Sequence, residues 1–153
     1  MAWLELKVPP PLVALLCGLA AWGLAPLGPT LPWPETLRMG LAGSLLLMGM
    51  ALDFSGLVAF VRRHTTVNPL RPGNSRALVT GGIYRFTRNP MYLGMACVLA
   101  AWAVWLAAWP PLAAPLVFAL YITRFQIRPE ERVLGQLFGQ AYDHYTRRVR
   151  RWL

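Results

Sequence analysis

Four apolar stretches alternate with polar segments along this chain, at residues 10–28, 36–61, 90–108 and 110–128. The last two are separated only by Trp109–Pro110–Pro111, a turn sequence that favours an antiparallel helical hairpin. A helix that crosses a bilayer needs about 20 mainly apolar residues, so the first stretch is short for a full span and the other three are long enough. The pattern predicts about four membrane-spanning helices.

The hairpin determines which polar residues meet. Its symmetry places Pro90 opposite Pro129, so the polar cluster at residues 81–92 should lie beside the polar cluster at residues 128–145. Asparagine, arginines, tyrosines and a carboxylate pair would then share one rim of the membrane, where polar groups are costly and are kept for function. We expect a polar site at this end of the hairpin.

Two further segments complete the predicted organisation. Residues 62–89 are too polar to cross and too long for a plain turn, and their Pro, Gly and Asn residues favour an irregular cap loop. Residues 130–145 carry apolar residues at helical spacing, which is typical of an interfacial helix, and the basic tail at 147–152 predicts a lipid-headgroup anchor. We expect one all-α integral membrane domain, with an N-terminal helical pair at 1–61 and a motif region at 62–153.

Composition agrees with a membrane protein, and charge adds an orientation. Of the 153 residues 56% are hydrophobic, and Lys and Arg outnumber Asp and Glu by 15 to 6. With four spans, every basic residue except Arg38 falls on the side shared by both termini, and positive loops stay cytoplasmic. We therefore expect both termini and the polar site to face the cytoplasm, in a bacterial inner membrane. The arginines lie between apolar segments, which favours anionic lipid over nucleic acid as a partner.

The N-terminal apolar run has the length of a signal-peptide core. Glu5 and Lys7 before the run make a poor basic flank, and no A-x-A cleavage site follows it. We expect a retained first helix.

The second stretch contains one acidic residue and several glycines. Asp53 is either a functional intramembrane carboxylate or the partner of an arginine at the rim, and the sequence leaves both readings open. Small residues allow another helix to approach closely. We therefore expect a helix to pack against Gly40, Gly43, Gly49 and Gly56.

Glu130 and Glu131 directly follow the fourth stretch, where two like charges near a low-dielectric boundary need compensating cations. Neighbouring arginines supply these cations. An acidic pair of this kind can also be an ordinary helix cap with surface ion pairs, but Arg88 and Asn89 at the same depth favour a functional site. No metal-ligand spacing, P-loop or G-x-G-x-x-G motif occurs, so we expect no metal and no soluble-type nucleotide fold.

The chain resembles the isoprenylcysteine carboxyl methyltransferase and phospholipid methyltransferase superfamily of integral membrane enzymes. The residues that carry the resemblance are L-V-T-G-G-I-Y-R-F-T-R-N-P-M-Y-L-G at 78–94, the apolar hairpin, P-E-E-R-V-L-G-Q-L-F-G-Q-A-Y-D-H-Y at 129–145, and then V-R-R-W. Over residues 62–153 the resemblance implies methyl transfer from S-adenosylmethionine. It also implies a cytoplasm-facing cofactor pocket between the last two spans, capped by the C-terminal segment.

The resemblance also implies site residues, because the family's R-H-P-x-Y and E-E-x-x-L motifs fall on residues 88–92 and 130–134. Asn89 stands where eukaryotic members carry histidine, so a titrating role does not carry over. The implied catalytic residues are Arg88, Asn89 and Glu131. The implied cofactor-binding residues are Thr80, Gly81, Gly82, Ile83, Tyr84, Arg88, Asn89, Pro90, Tyr92, Leu93, Glu130 and Glu131.

Two functions follow from these observations. The first is an S-adenosylmethionine-dependent membrane methyltransferase whose lipophilic or small-molecule acceptor enters from the bilayer. The alternative is a non-enzymatic membrane module that binds anionic lipid headgroups or a partner protein through its basic loop and tail. The sequence specifies neither the acceptor nor the oligomeric state.

Overall fold

The computed structural model describes residues 4–62, 73 and 77–153. Residues 63–72 and 74–76 of the predicted cap loop at 62–89 lie outside these ranges. Within them the chain is built from helices joined by turns, with one isolated bridge between Thr30 and Ala108. The helices are α1 (Pro10–Leu24), α2 (Glu35–Arg62), α3 (Pro90–Leu106), α4 (Ala114–Ile122), α5 (Arg128–Phe138) and α6 (Gln140–Arg148).

Among the described residues, two helices are long and apolar enough to cross a membrane, Pro10–Leu27 and Glu35–Val61. They coincide with the first two predicted stretches. Pro10 suits the start of α1 because the first turn of a helix leaves its amides unpaired in any case. Many leucines of both helices are exposed on the isolated chain, which suits contact with lipid tails rather than water.

The predicted hairpin forms, but its first arm is shorter than predicted. α3 has 17 residues and ends at Leu106 rather than at residue 108, because Ala107 adopts a left-handed conformation with φ of 52°. The Ala107 carbonyl accepts a hydrogen bond from the Leu31 amide at 2.8 Å. The connection between α1 and α2 is therefore fixed to the turn of the hairpin.

The second arm, predicted as one helix over 110–128, is divided. A 3₁₀ turn at Pro110–Ala113 precedes α4, and a π-helical turn at Thr123–Ile127 joins α4 to α5. The prediction of a single α-helix over 110–128 was wrong, because helix-breaking prolines occur at both ends of the stretch. The number of membrane spans, predicted as four, stays a prediction.

Pro129 accounts for the π-helical turn. It has no N–H to donate to the carbonyl of Phe125, four residues earlier, and its ring crowds that carbonyl. The wider π-helical turn at Thr123–Ile127 makes room for the ring. The Phe125 carbonyl instead accepts the amide of Leu6 at 3.0 Å. A backbone group that Pro129 leaves unpaired is thus satisfied by the N-terminal segment.

Glu5 strengthens the same attachment. Its carboxylate forms ion pairs with Arg124, at 2.9 Å, and with Arg132. The hydrogen bond from Arg124 is the main cause that holds the pKa of Glu5 below its ordinary value. The N-terminal segment is therefore fastened to the end of the hairpin by both backbone and charge.

α2 and α3 pack closely where glycines face each other. A side chain at Gly49 would place its Cβ 2.8 Å from the Gly94 carbonyl oxygen, and one at Gly56 would place it 2.6 Å from Met91. By contrast, nothing lies within 4 Å of a Cβ built at Gly40 or Gly43. Two of the four predicted glycines therefore form the α2–α3 contact.

Asp53 lies on the same face of α2, between the two packed glycines. Its carboxyl group is so close to Gly94 that a side chain there would collide with it. Within the described part of the chain, the buried Oδ1 of Asp53 has no hydrogen-bond partner. Both sequence readings of Asp53 remain open.

α3 is the centre of the fold, because it contacts α1, α2 and α4. The apolar core forms where α1, α3 and the second arm of the hairpin meet, and Phe118, Ile122 and Ile127 are fully buried there. Tyr92 of α3 belongs to this core. The polar end of α3 is thus held by apolar packing on both sides of the hairpin.

The C-terminal interfacial helix, predicted as one element over residues 130–145, is two helices. Gly139 separates α5 from α6 with φ of 48° and ψ of −125°, a conformation open mainly to glycine. The break turns α6 back, so that Tyr142, Tyr145 and Val149 are buried in a small cluster beside Leu134. The apolar face predicted for this segment therefore serves partly as an internal core.

The close α2–α3 contact leaves no room for a larger side chain at Gly49. Replacement of Gly49 with alanine should destabilise the protein by about 1–3 kcal/mol, because the added methyl group overpacks a tight helix contact. Replacement of Gly43 with alanine is the matched control, since its Cβ meets open space. Thermal unfolding in detergent would measure both variants, and equal melting temperatures would contradict the proposed packing.

Candidate active site

The two polar clusters meet at the open end of the hairpin, so the predicted juxtaposition is confirmed. The Tyr92 hydroxyl on α3 donates to Glu130 Oε1 at 2.6 Å, and Arg88 Nη2 lies 3.1 Å from Glu131 Oε1. Both glutamates belong to the first turn of α5, directly after the π-helical turn. The start of α3 and the start of α5 are joined by these two contacts.

Glu130 lies on the buried side of α5. Its Oε1 accepts hydrogen bonds from Tyr92 and from Gln126 Nε2, both at 2.6 Å. Burial raises the pKa of Glu130 to about 7, although the two hydrogen bonds oppose that shift. A carboxyl group with this pKa changes its protonation state near neutral pH.

Glu131 has different partners because consecutive residues on an α-helix point about 100° apart. Arg151 donates to it twice, from Nε to Oε1 at 3.0 Å and from Nη2 to Oε2 at 2.6 Å. Arg88 approaches the same carboxylate from the other side. The hydrogen bond to Glu131 raises the pKa of Arg151 above its ordinary value. Two guanidinium groups thus flank one carboxylate.

The C-terminal tail crosses the start of α3. The amide of Asn89 donates through Nδ2 to the Arg151 carbonyl at 2.9 Å, and the backbone N–H of Arg88 donates to the Arg150 carbonyl at 3.0 Å. Asn89, predicted as catalytic, therefore also holds the tail in place.

The prediction of a lipid-headgroup anchor at 147–152 was wrong for part of this tail. Arg151 pairs with Glu131, and the indole N–H of Trp152 donates to Thr123 Oγ1 at 3.1 Å. The side chains of Arg147, Arg148 and Arg150 are exposed. The tail folds back because buried carboxylates require cationic partners, and Arg151 supplies one of them.

Tyr84 connects the first cluster to α6. Its ring is buried and packs edge-on against Phe60 at 5.5 Å between centroids, and its carbonyl accepts the hydroxyl of Tyr145 at 2.8 Å. Burial raises the pKa values of both tyrosines. Both phenols are therefore neutral donors at physiological pH.

Gly81, Gly82 and Ile83 face α2 rather than the glutamates. They line an apolar cleft of about 510 Å³ together with residues such as Phe54 and Val58. Gly82 has φ of 61°, a conformation that favours glycine and lets the backbone reach the cleft wall. The predicted site is thus split between a polar end and an apolar cleft.

The remaining predicted site residues flank these two parts. Pro90 is fully buried and begins α3, which fixes Asn89 just outside the helix. Thr80 and Leu93 are half-buried.

Several residues of the polar end were missed by sequence reasoning. Gln126 contacts Glu130, Thr87 is fully buried beside Asn89, and Arg151 contacts Glu131. Arg151 lies in an arginine-rich run that offers no signal for choosing one member. Gln126 and Thr87 are common polar residues whose importance depends on burial, which the sequence does not display.

In the part of the chain that the structure describes, no three His, Cys, Asp or Glu side chains gather in a group that could hold a metal ion. The polar end is built from carboxylates, guanidinium groups, phenols and amides. Such groups suit the recognition of a charged organic ligand.

The chain matches one protein family and several curated proteins. A family model described as phospholipid methyltransferase matches residues 37–141. Among curated proteins, protein-S-isoprenylcysteine O-methyltransferase B of Arabidopsis thaliana is 30% identical over 109 residues, which are 69% of this chain and 54% of that protein. The chain belongs to the phospholipid methyltransferase family, a family of membrane methyltransferases.

Two further relatives show how far the likeness extends. Protein-S-isoprenylcysteine O-methyltransferase of Schizosaccharomyces pombe is 27% identical over 107 residues, 68% of this chain and 44% of that protein. An uncharacterised protein of Haemophilus influenzae is 41% identical over 63 residues, 41% of this chain and 100% of that protein. The chain thus spans about half the length of the named methyltransferases it matches. No solved structure matches it significantly.

The raised pKa of Glu130 predicts a pH-dependent stability. Between about pH 4.5 and about pH 7 the folded protein keeps a proton on Glu130 that the unfolded chain has released. The stabilisation from this bound proton is complete below about pH 4.5 and is lost as the pH rises through about pH 7. Relative to Glu130→Gln, wild type should therefore lose about 2–3 kcal/mol of unfolding free energy between about pH 5 and about pH 8.

Unfolding in detergent at both pH values would measure this difference. Glu35→Gln is the control, because Glu35 is exposed at the start of α2. That variant should keep the wild-type pH dependence. If the unfolding free energy of Glu130→Gln falls with pH as steeply as that of wild type, Glu130 is ionised in the folded protein throughout the range.

Proposed function

We propose that this protein transfers a methyl group from S-adenosylmethionine to a lipophilic acceptor at the cytoplasmic face of a membrane. The observation that carries the proposal is the position of the polar end, with its paired arginines and glutamates, beside an apolar cleft walled by the membrane helix α2. Membership in the phospholipid methyltransferase family supports the reaction class.

The residues present fit the donor. S-adenosylmethionine carries a carboxylate, an ammonium group, ribose hydroxyls and an adenine ring beside its sulfonium. Arg88 Nε is buried and has no hydrogen-bond partner among the described residues, so it is a donor available for a ligand carboxylate. Glu130 and Glu131 can receive the ammonium group or the hydroxyls, and the buried ring of Tyr84 offers an aromatic face.

When bound, the donor supplies an electrophilic methyl group on a positively charged sulfur. This chain's task is then to orient the two reactants and to exclude water. Arg88 and Glu131 would orient the donor through charge, and the buried phenols of Tyr84, Tyr92 and Tyr145 would stay neutral and help to exclude water. Asn89 does not titrate, and through Nδ2 it holds the tail that closes the site.

The apolar cleft supports a lipophilic acceptor. Phe54 on α2 and Phe86 in the segment before α3 line it, and both are largely exposed on the isolated chain. A hydrocarbon chain that lies along α2 in the bilayer could enter between them without crossing a polar surface. The family is described by phospholipid and the relatives are named for isoprenylcysteine, and both names support a hydrophobic acceptor.

Donor binding gives the first test. Calorimetry in detergent should show that S-adenosylmethionine binds wild type, and that Glu131→Gln and Arg88→Ala each raise its Kd by about tenfold or more, because charge-assisted hydrogen bonds are lost. Arg147→Gln is the matched control, since it removes an exposed charge from the same end of the molecule. Absence of binding to folded wild type would refute the proposed function.

Filling the cleft gives the second test. Val58→Trp should raise the KM for the acceptor by about tenfold, because the new side chain displaces apolar contacts, while the Kd for the donor stays unchanged. Leu47→Trp is the control, because Leu47 is exposed on the same helix and does not line the cleft. Transfer of a labelled methyl group to an S-isoprenylated cysteine and to an amine-headgroup phospholipid would measure the effect and separate the two acceptor classes. If Val58→Trp leaves the KM unchanged for every active acceptor, the cleft is not the acceptor-binding site.

A further inference from the structure

Arg151 differs from the other arginines of the tail in what its side chain contacts. Arg147, Arg148 and Arg150 are exposed, whereas Arg151 is half-buried. Its guanidinium group donates to both oxygens of Glu131, from Nε at 3.0 Å and from Nη2 at 2.6 Å. A planar guanidinium that binds a carboxylate through two parallel bonds fixes the plane of the carboxylate as well as its position.

The backbone that carries Arg151 is itself fixed. Its carbonyl accepts hydrogen bonds from Asn89 Nδ2 at 2.9 Å and from Thr87 Oγ1 at 3.4 Å. The next residue, Trp152, is held through its indole N–H by Thr123. Arg151 therefore reaches Glu131 from an anchored strand of chain rather than from a free tail.

The second arginine at Glu131 is bound differently. Arg88 makes one ion-pair contact to Glu131, from Nη2 to Oε1 at 3.1 Å, and its side chain also hydrogen-bonds Tyr142, whereas its buried Nε has no partner in the described ranges. Because Arg151 engages both oxygens of Glu131, the carboxylate has less capacity left for Arg88. The Nε–H of Arg88 is thus available to bind another anion.

We propose that Arg151 is a positioning residue of the donor site, which fixes Glu131 and so prevents Glu131 from taking Arg88 as its own bidentate partner. This inference rests on the proposed function, because the anion that Arg88 then receives is the carboxylate of the methyl donor. Without Arg151, Glu131 turns toward Arg88 and competes with the donor for it.

Donor affinity tests the inference through Glu131. In calorimetry with S-adenosylmethionine, Arg151→Gln should raise the Kd by about tenfold, and Arg151→Lys should restore part of the loss because it returns the charge without the planar fork. Arg148→Gln, which removes an exposed charge three residues earlier, should bind as wild type does. In a Glu131→Gln background, Arg151→Gln should add no further loss, because the competing carboxylate is gone.

A second measurement reports the position of Glu131 without any donor. Carbodiimide labelling of carboxylates, read by mass spectrometry, should modify Glu131 faster in Arg151→Gln than in wild type or in Arg148→Gln. Glu35, which is exposed, provides the internal reference rate. Circular dichroism in the same detergent would confirm that each variant is folded.

The outcomes separate this inference from the proposed function. A wild-type Kd in Arg151→Gln, or an equal additional loss in the Glu131→Gln background, would overturn the positioning role and leave donor binding standing. Faster labelling of Glu131 in a protein that binds no S-adenosylmethionine would support the contact but overturn its role in a donor site, together with the proposed function.

Discussion

The structure depends on finding separate partners for two adjacent carboxylates. Glu130 and Glu131 follow a long apolar stretch, and two buried negative charges side by side are unfavourable unless each is compensated. The helix points them in different directions, so Glu130 meets the phenol of Tyr92 and Glu131 meets two guanidinium groups. These partners belong to the start of α3 and to the tail. Compensation of the pair therefore brings together three segments that are far apart in sequence.

A single proline has a similar long-range effect. Pro129 leaves the carbonyl of Phe125 without its helical partner, and the amide of Leu6 takes that place. The same residue widens the helix just before the carboxylates, which sets their direction relative to α3. The carbonyl that Pro129 leaves unpaired thus binds the N-terminal segment, and the adjacent carboxylates bind the C-terminal tail.

Much of this arrangement was predictable where it followed from symmetry or period. The proline turn after Trp109 implied that Pro90 and Pro129 share one end of a hairpin, and the Tyr92–Glu130 contact agrees with that geometry. Other features depend on one residue's backbone angles, such as the left-handed Ala107 that shortens α3 and Gly139 that divides the last helix. Hydrophobic pattern carries no information about those angles.

The role of the tail was the largest error, and its cause is general. Arginines in a membrane protein were assigned to lipid because their number and position suited an anionic surface. Charge alone cannot distinguish an arginine that faces headgroups from one that faces an internal carboxylate. Arg148 and Arg151 differ only because the turn at Gly139 directs α6 back, so that the tail beyond α6 crosses the start of α3.

The closure of the polar end by Arg151 and Trp152 has a consequence for the order of events during synthesis. α1 and α2 are made first, and they are apolar enough to enter a membrane before the rest of the chain exists. The polar end cannot be completed at that stage, because the last of its components is residue 152. Until the ribosome has added Arg151, Glu131 lacks one of its two arginines and Asn89 lacks its carbonyl acceptor. A chain interrupted shortly before Arg151 would carry its helices into the membrane with an open acidic site, in which Glu131 is paired with Arg88 alone.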